Sequence, residues 1–169
     1  MLHELTVVQF SRMLTNLNLL LDKAAASAEA RKFKVEVLLQ ARLAPDQFHF
    51  IRQVQIACDT AKLGVARLTG KTAPTHEDNE TTLEQLKTRI AETLDYLASV
   101  SPQDFAGAEE RQVSQQRWEG KYLTGTDYVV QYAVPNFYFH VTTAYAILRH
   151  NGVDLGKKDY LGALSFKTA

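Results

Sequence analysis

Apolar residues recur every three or four positions along most of this chain, which is the spacing of one buried helix face. The first two stripes predict helices over residues 5–28 and 45–68. Pro45 is expected in the first turn of the second helix, where the missing N–H of proline costs little. The pattern of the first 70 residues is therefore that of two long helices.

Two further helices are predicted in the C-terminal part of the chain. The third is expected to begin at a capping box formed by Thr81 and Glu84. The fourth covers residues 126–150 and is expected to be interrupted at Pro135, because proline lacks the N–H that a helix interior requires. This interruption predicts either a kink or a second helix start.

The segments between these helices carry the glycine, proline and polar residues that are typical of loops. A short helical turn is predicted at residues 35–39, a loose hairpin over residues 106–125, and an extended, partly docked tail over residues 153–169. Four helices with a small hairpin insertion before the last one predict an all-α four-helix bundle. The whole chain, residues 1–169, is expected to be a single domain.

Composition and charge exclude several classes of protein. The 169 residues carry 19 basic and 19 acidic side chains, so there is no overall positive field for nucleic-acid binding. The apolar stretches are too short to cross a bilayer, and no secretory signal is visible, so no membrane partner is expected. One cysteine, Cys58, rules out an internal disulfide and makes the cytoplasm the expected compartment.

Histidine is the natural starting point for candidate chemistry, because it binds metals and titrates near neutral pH. His3 and His76 are expected to be solvated, and His150 to lie in the last turn of the fourth helix. On the second helix, His49 and Gln53 point away from the apolar stripe, towards solvent or a neighbouring subunit.

His140 stands out because it lies in the most apolar of the four helices. Asn136 is one turn before it on the same face, and buried polar groups must find hydrogen-bond partners. Two interpretations remain open: a core hydrogen bond between the two residues or to another helix, and a polar site at the proline interruption. Cys58 lies on the inward stripe and is expected to be a packed, inert thiol.

Three stretches, residues 40–46, 53–62 and 135–153, resemble signature segments of a bacterial domain-of-unknown-function family. That family is similar to the DinB/YfiT-like metalloenzyme superfamily. The resemblance covers nearly the whole chain. It implies a DinB-like four-helix bundle in an up-down-down-up order with a long crossover, and a homodimer as the usual assembly.

The resemblance also implies what a metal site would need. Members of the superfamily place three histidines around a divalent metal such as zinc or nickel, one from the second helix and two from a His-x-x-x-His pair on the fourth. Here Asn136-x-x-x-His140 stands in place of that pair, and only His49 could come from the second helix. His140 and His49 are therefore the metal candidates, with an incomplete ligand set. Some members are thiol-dependent transferases or isomerases.

Two functional hypotheses follow from these residues. In the first, a polar pocket near Asn136 and His140, with Asp46 or Gln53 approaching from the second helix, binds a small molecule or a divalent metal. A transferase would then use His140 as a ligand or general base. In the second, the protein is a metal-free structural or stress-associated homodimer whose aromatic surface includes Tyr138 and Tyr145. A third possibility is that His49 and His140 converge at a splayed end of the bundle.

Overall fold

A computed structural model describes residues 1–168 and contains a bundle of four long helices. In chain order these are α1 (Gln9–Ala30), α3 (Phe50–Thr69), α4 (Leu83–Ala98) and α6 (Val134–His150). Helix α3 packs against both α4 and α6, and α1 packs against the same two helices, so the four enclose one core. The DinB-like four-helix bundle predicted from the sequence is confirmed.

Shorter elements connect the long helices. A widened π-helical turn, Glu4–Val8, precedes α1, and α2 (Glu36–Leu39) is the short turn predicted in the first connection. A single 3-10 turn, Pro102–Phe105, follows α4. Strand β1 (Gln112–Val113) then pairs antiparallel with β2 (Leu123–Thr124), and a second 3-10 turn, Gln116–Trp118, lies between them. The predicted hairpin insertion before the last helix is thus present.

The second and third helices begin later than the sequence predicts. Pro45 is not in a helix, because the carbonyl of Ala44 accepts a hydrogen bond from Gln47 N and closes a separate turn. Helix α3 begins at Phe50, after an extended His49. The capping box of α4 is formed one residue further along than Thr81 and Glu84. Thr82 Oγ1 accepts from Gln85 N, and Gln85 Oε1 accepts from Thr82 N.

The fourth predicted helix is continuous across Pro135. It consists of α5 (Gly125–Asp127), a π-helical segment (Tyr128–Ala133) and then α6, with Pro135 in the first turn of α6. The interruption that proline predicts therefore takes the form of the widened segment before it. This segment points two tyrosines, Tyr128 and Tyr132, towards α3 and the hairpin.

The tail is more ordered than predicted. Val153 and Leu155 are buried, and α7 (Lys157–Leu161) forms a short helix that packs on α1. Asp159 stabilises this turn by accepting from Gly156 N at 2.8 Å and pairing with Lys23 at 2.7 Å. Ala169, the last residue of the predicted tail and domain, lies outside the described residues.

The core is built from the predicted inward stripes. Cys58 is fully buried within it, and burial raises the pKa of its thiol to about 12, so the thiol is protonated and inaccessible at neutral pH. Within residues 1–168, none of the helices combines the length and the hydropathy that a bilayer span requires.

Candidate functional site

Two polar pairs join α6 to α3 inside an otherwise apolar contact. Asn136 Nδ2 donates to Thr60 Oγ1 at 2.7 Å. His140 Nδ1 lies 2.7 Å from Gln53 Oε1. Asn136 and His140 are therefore each hydrogen-bonded to helix α3 and not to each other.

The protonation state of His140 follows from its partner. Gln53 Nε2 donates to the carbonyl of Phe48 at 2.9 Å, so Gln53 Oε1 faces the histidine and can only accept. The proton of this hydrogen bond is therefore on Nδ1, and Nε2 keeps its lone pair. Burial, followed by the charge of Arg52, lowers the pKa of His140 to about 4. The ring is neutral at pH 7 and is a weak base.

Gln53 is buried, contrary to the outward orientation predicted for it. The prediction used one apolar stripe, but α3 packs against both α4 and α6, so a second face of the helix is also covered. His49 is half-buried at the start of α3, where burial and the charges of Arg42 and Arg52 lower its pKa. Asp46 is exposed and forms no side-chain hydrogen bond or ion pair within residues 1–168.

These residues do not fit the zinc or nickel site that the resemblance implies. Such ions take imidazole, thiolate or carboxylate ligands. In the part of the chain that the structure describes, no three His, Cys, Asp or Glu side chains come together in a group that could hold a metal. One ring nitrogen of His140 is already bonded to Gln53, and Asn136 and Thr60 offer weak ligands. The metal role of His140 and His49 stays a prediction without support from these contacts.

A cleft of about 320 Å³ opens beside Asn136, between α3, the π-helical segment and the hairpin. Asn136 and Thr60 lie on its wall. Its other lining residues are Phe48, Arg52, Ile56, Asp59, Leu63, Arg67, Gln115, Arg117, Tyr128 and Tyr132. Of the polar residues in this cleft, Asn136 is the one predicted from the sequence as a site residue.

Arginine–tyrosine contacts organise the mouth of the cleft. Arg67 on α3 donates to Tyr128 Oη at 3.2 Å. Arg117 on the hairpin donates to Tyr132 Oη, and its guanidinium also lies over the Tyr132 ring at 5.3 Å. The rings of Tyr128 and Tyr132 stack with centroids 5.6 Å apart. Burial, more than any other influence, raises the pKa of Tyr128, so its hydroxyl is protonated at neutral pH.

The charges around the cleft do not balance. Asp59 is paired with Arg89 at 2.7 Å and with Lys62 at 3.2 Å, and Arg52 is paired with Asp78. Arg67 and Arg117 form no ion pair within residues 1–168. The cleft therefore carries two uncompensated positive charges.

A larger depression of about 500 Å³ lies beside α4 and contains His76, Glu80, Arg89 and Glu92. Its charged groups already contact one another: Arg89 pairs with Glu80 at 2.9 Å, and His76 lies 3.0 Å from Glu92. It is a weaker candidate site than the cleft, because its arginine and histidine are already paired.

A family described as a domain of unknown function (DUF1993) matches residues 2–161. The chain is also similar to the crystal structure of a DinB family member from Shewanella denitrificans, with 62% sequence identity and a TM-score of 0.97. That match covers 100% of this chain and 96% of the other. No curated protein matches.

Proposed function

This chain belongs to the DUF1993 family, and on that premise we propose that it binds a small molecule, without a metal ion, in the cleft beside Asn136. The observation that carries the proposal is a polar pair, Asn136 and Thr60, on the wall of a cleft of about 320 Å³. Pockets for small ligands are usually a few hundred Å³ in volume and combine apolar walls with a few placed polar groups.

The hairpin supplies part of the cleft wall. Gln115 and Arg117 reach the cleft from the hairpin, while its other walls come from the start and middle of α3 and from the last helical segment. Three parts of the chain that are distant in sequence thus supply polar groups to one concave surface. Asp46 is exposed and is not among the lining residues, and neither are Gln53 and His140, which bond to each other. The proposal therefore uses Asn136 alone of the predicted site residues.

A thermal-shift screen of small polar molecules tests the binding function. A ligand of the folded state raises Tm in proportion to RT ln(1 + [L]/Kd), so hits report binding directly. Hits should stabilise the wild-type protein and the control Gln131→Leu, but not Asn136→Leu. Gln131 is an exposed amide on the π-helical segment, outside the cleft lining. Hits that stabilise all three proteins equally would place the binding site elsewhere.

Elemental analysis tests the metal-free part of the proposal. The purified protein is incubated with zinc, nickel or manganese, desalted and analysed, with His140→Ala in parallel. We expect no near-stoichiometric metal in either protein. A stoichiometric metal that disappears in His140→Ala would contradict metal-free binding and would make the thiol-dependent transferase prediction the next activity to assay.

The metal-free homodimer and the cytoplasmic location stay predictions. Tyr138 Oη accepts from Gln9 on α1 at 2.7 Å, and Tyr145 packs edge-to-face against Tyr160 of α7, so both rings contact their own chain. Both side chains are only partly buried, so a dimer surface that includes them stays a prediction. Light scattering at micromolar concentration would remove the homodimer prediction if it gave the mass of one chain.

A further inference from the structure

We propose that the ligand of this cleft is a small organic anion whose carboxylate or phosphate group binds between Arg67 and Arg117. The inference rests on the proposed function, since it assigns a chemical class to the ligand of the same cleft. Its basis is the pairing of every charged group that lines the cleft except these two arginines.

The two guanidinium groups approach the cleft from separate elements. Arg67 extends from α3 and Arg117 from the hairpin, and each has a tyrosine hydroxyl as its side-chain partner. A guanidinium carries five N–H donors, so each arginine retains donors beyond that one bond. A carboxylate or phosphate is the group that accepts several such donors at once and balances the charge.

The tyrosine hydroxyls strengthen this preference. Tyr128 Oη and Tyr132 Oη each accept a hydrogen bond from an arginine, which leaves each hydroxyl proton free to be donated. An arginine that donates to a phenol oxygen also polarises its O–H bond. The cleft therefore presents N–H and O–H donors together, a combination that selects an acceptor-only ligand group.

The apolar side chains of the cleft favour an organic anion. The exposed ring of Phe48 lines the cleft together with the partly buried side chains of Ile56, Leu63 and Tyr132. An inorganic ion would leave this apolar surface in contact with water. A planar or aromatic group attached to the anion would cover it.

The test uses three probes that share one ring: benzoate, phenyl phosphate and benzamide, measured by isothermal titration calorimetry at constant ionic strength. Benzoate and phenyl phosphate carry the two anionic groups, and benzamide has the shape of benzoate without its charge. We expect at least one of the two anions to bind with a Kd in the millimolar range or lower. The Kd of benzamide should be at least tenfold higher. The tighter of the two anions distinguishes a carboxylate ligand from a phosphate ligand.

Arginine variants locate the binding. Arg67→Gln and Arg117→Gln should each weaken binding of the anion at least tenfold, whereas Arg149→Gln should not change it. Arg149 is an exposed residue on α6 outside the cleft, so that variant removes the same charge from the molecule. Arg117 is exposed on the hairpin, and its replacement should fold normally even if Arg67→Gln loses stability. Circular dichroism of each variant checks this.

The outcomes separate the two proposals. One outcome contradicts the anion proposal alone. In it, benzamide binds as tightly as benzoate, and Asn136→Leu loses this binding while both arginine variants keep it. The ligand would then not be an anion, but the cleft would still bind a small molecule. If Arg149→Gln weakens binding as much as Arg117→Gln, only the overall charge matters and the anion proposal is overturned. If none of the probes binds, the anion proposal also fails, and the screen with neutral compounds decides the proposed function alone.

Discussion

Arginine side chains on the two sides of α3 have different kinds of partner. On the side facing α4, Arg89 is 1% exposed and contacts three carboxylates: Asp59 at 2.7 Å, Asp78 at 2.7 Å and Glu80 at 2.9 Å. On the side facing the hairpin, Arg67 and Arg117 contact tyrosine hydroxyls and form no ion pair within residues 1–168. Arginine is thus ion-paired on the first side, and on the second side its partners are tyrosine hydroxyls only.

The difference separates a structural role from a binding role. The Arg89 network attaches the connection before α4, through Asp78 and Glu80, to Asp59 on α3. Burial would raise the pKa of Glu80, but hydrogen bonds from Arg89 and Gln55 outweigh burial and lower it, so the carboxylate is held ionised. Within residues 1–168, Arg67 and Arg117 have no carboxylate partner of this kind, and an external anion would supply one.

The largest expected effect is the loss of the closed network. Arg89→Met should lower the free energy of unfolding by about 3–5 kcal/mol, because Glu80 loses the cation that keeps its largely buried carboxylate ionised. Asp59 and Asp78 would keep only their other partners, Lys62 and Arg52. Arg67→Met is the matched control and should cost about 1 kcal/mol, the value of one hydrogen bond to Tyr128. Urea denaturation measures both. Equal losses would show that the two regions do not differ in the way their contacts suggest.

The sequence predicts the bundle well because helix formation is local. Periodic apolar residues identified all four long helices, and the glycines of residues 106–125 identified the hairpin. The helix starts were less accurate, since the turn closed by Ala44 and Gln47 competes with the start that Pro45 suggests. A capping box shifted by one residue is the same kind of error.

The candidate site was predictable only in part. Asn136 and His140 could be found because polar residues in an apolar helix need partners, and Gln53 was named without its burial. Arg67 and Arg117 could not be found. They are 50 positions apart in sequence, and each resembles an ordinary solvated arginine. Only the fold brings both to one cleft. The one sequence signal was the four-residue spacing of Tyr128 and Tyr132, which places both rings on one face.

The Arg89 network and the buried His140–Gln53 pair should lose stability in different pH ranges. Unfolded His140 gains a proton below pH 6.5, whereas the folded ring has a pKa of about 4. The unfolded chain binds more protons between these values, so stability falls by up to about 3 kcal/mol as the pH decreases from 6.5 to 4. For Glu80 and Asp78 the folded pKa is also lowered, so their contribution is present above the unfolded values of 4.5 and 3.8 and is lost below them.

Urea titrations between pH 7 and pH 3 measure this separation. His140→Gln should flatten the decline between pH 6.5 and 4 and leave the steeper decline at lower pH. His49 and His76 also have lowered pKa values, but they are present in both proteins and cancel in the comparison. An unchanged profile in His140→Gln would mean that the ring is not held neutral by its buried position.

A smaller loss of stability is expected at Gly125, where the chain enters the wall of the cleft. A Cβ atom at Gly125, where α5 begins, would lie 1.8 Å from the backbone oxygen of Ala108. Gly125→Ala must therefore shift the chain that leads into Tyr128, and we expect a loss of about 1–3 kcal/mol. Anion binding should weaken together with stability. Retained anion affinity in Gly125→Ala would show that the cleft does not depend on this contact.

The smallest effect is expected at Gly64, in the middle of α3 and beneath Tyr128. A Cβ atom there would lie 3.6 Å from Tyr128 Oη and 3.9 Å from Ala133 Cβ, which are ordinary van der Waals distances. Since alanine favours a helix interior over glycine, Gly64→Ala should raise the free energy of unfolding by up to about 1 kcal/mol. Tyr128 should keep its bond to Arg67, so anion affinity should be unchanged by calorimetry. A loss of stability accompanied by weaker binding would instead mean that Tyr128 needs the space beside Gly64, and that glycine at this position serves the cleft rather than the helix.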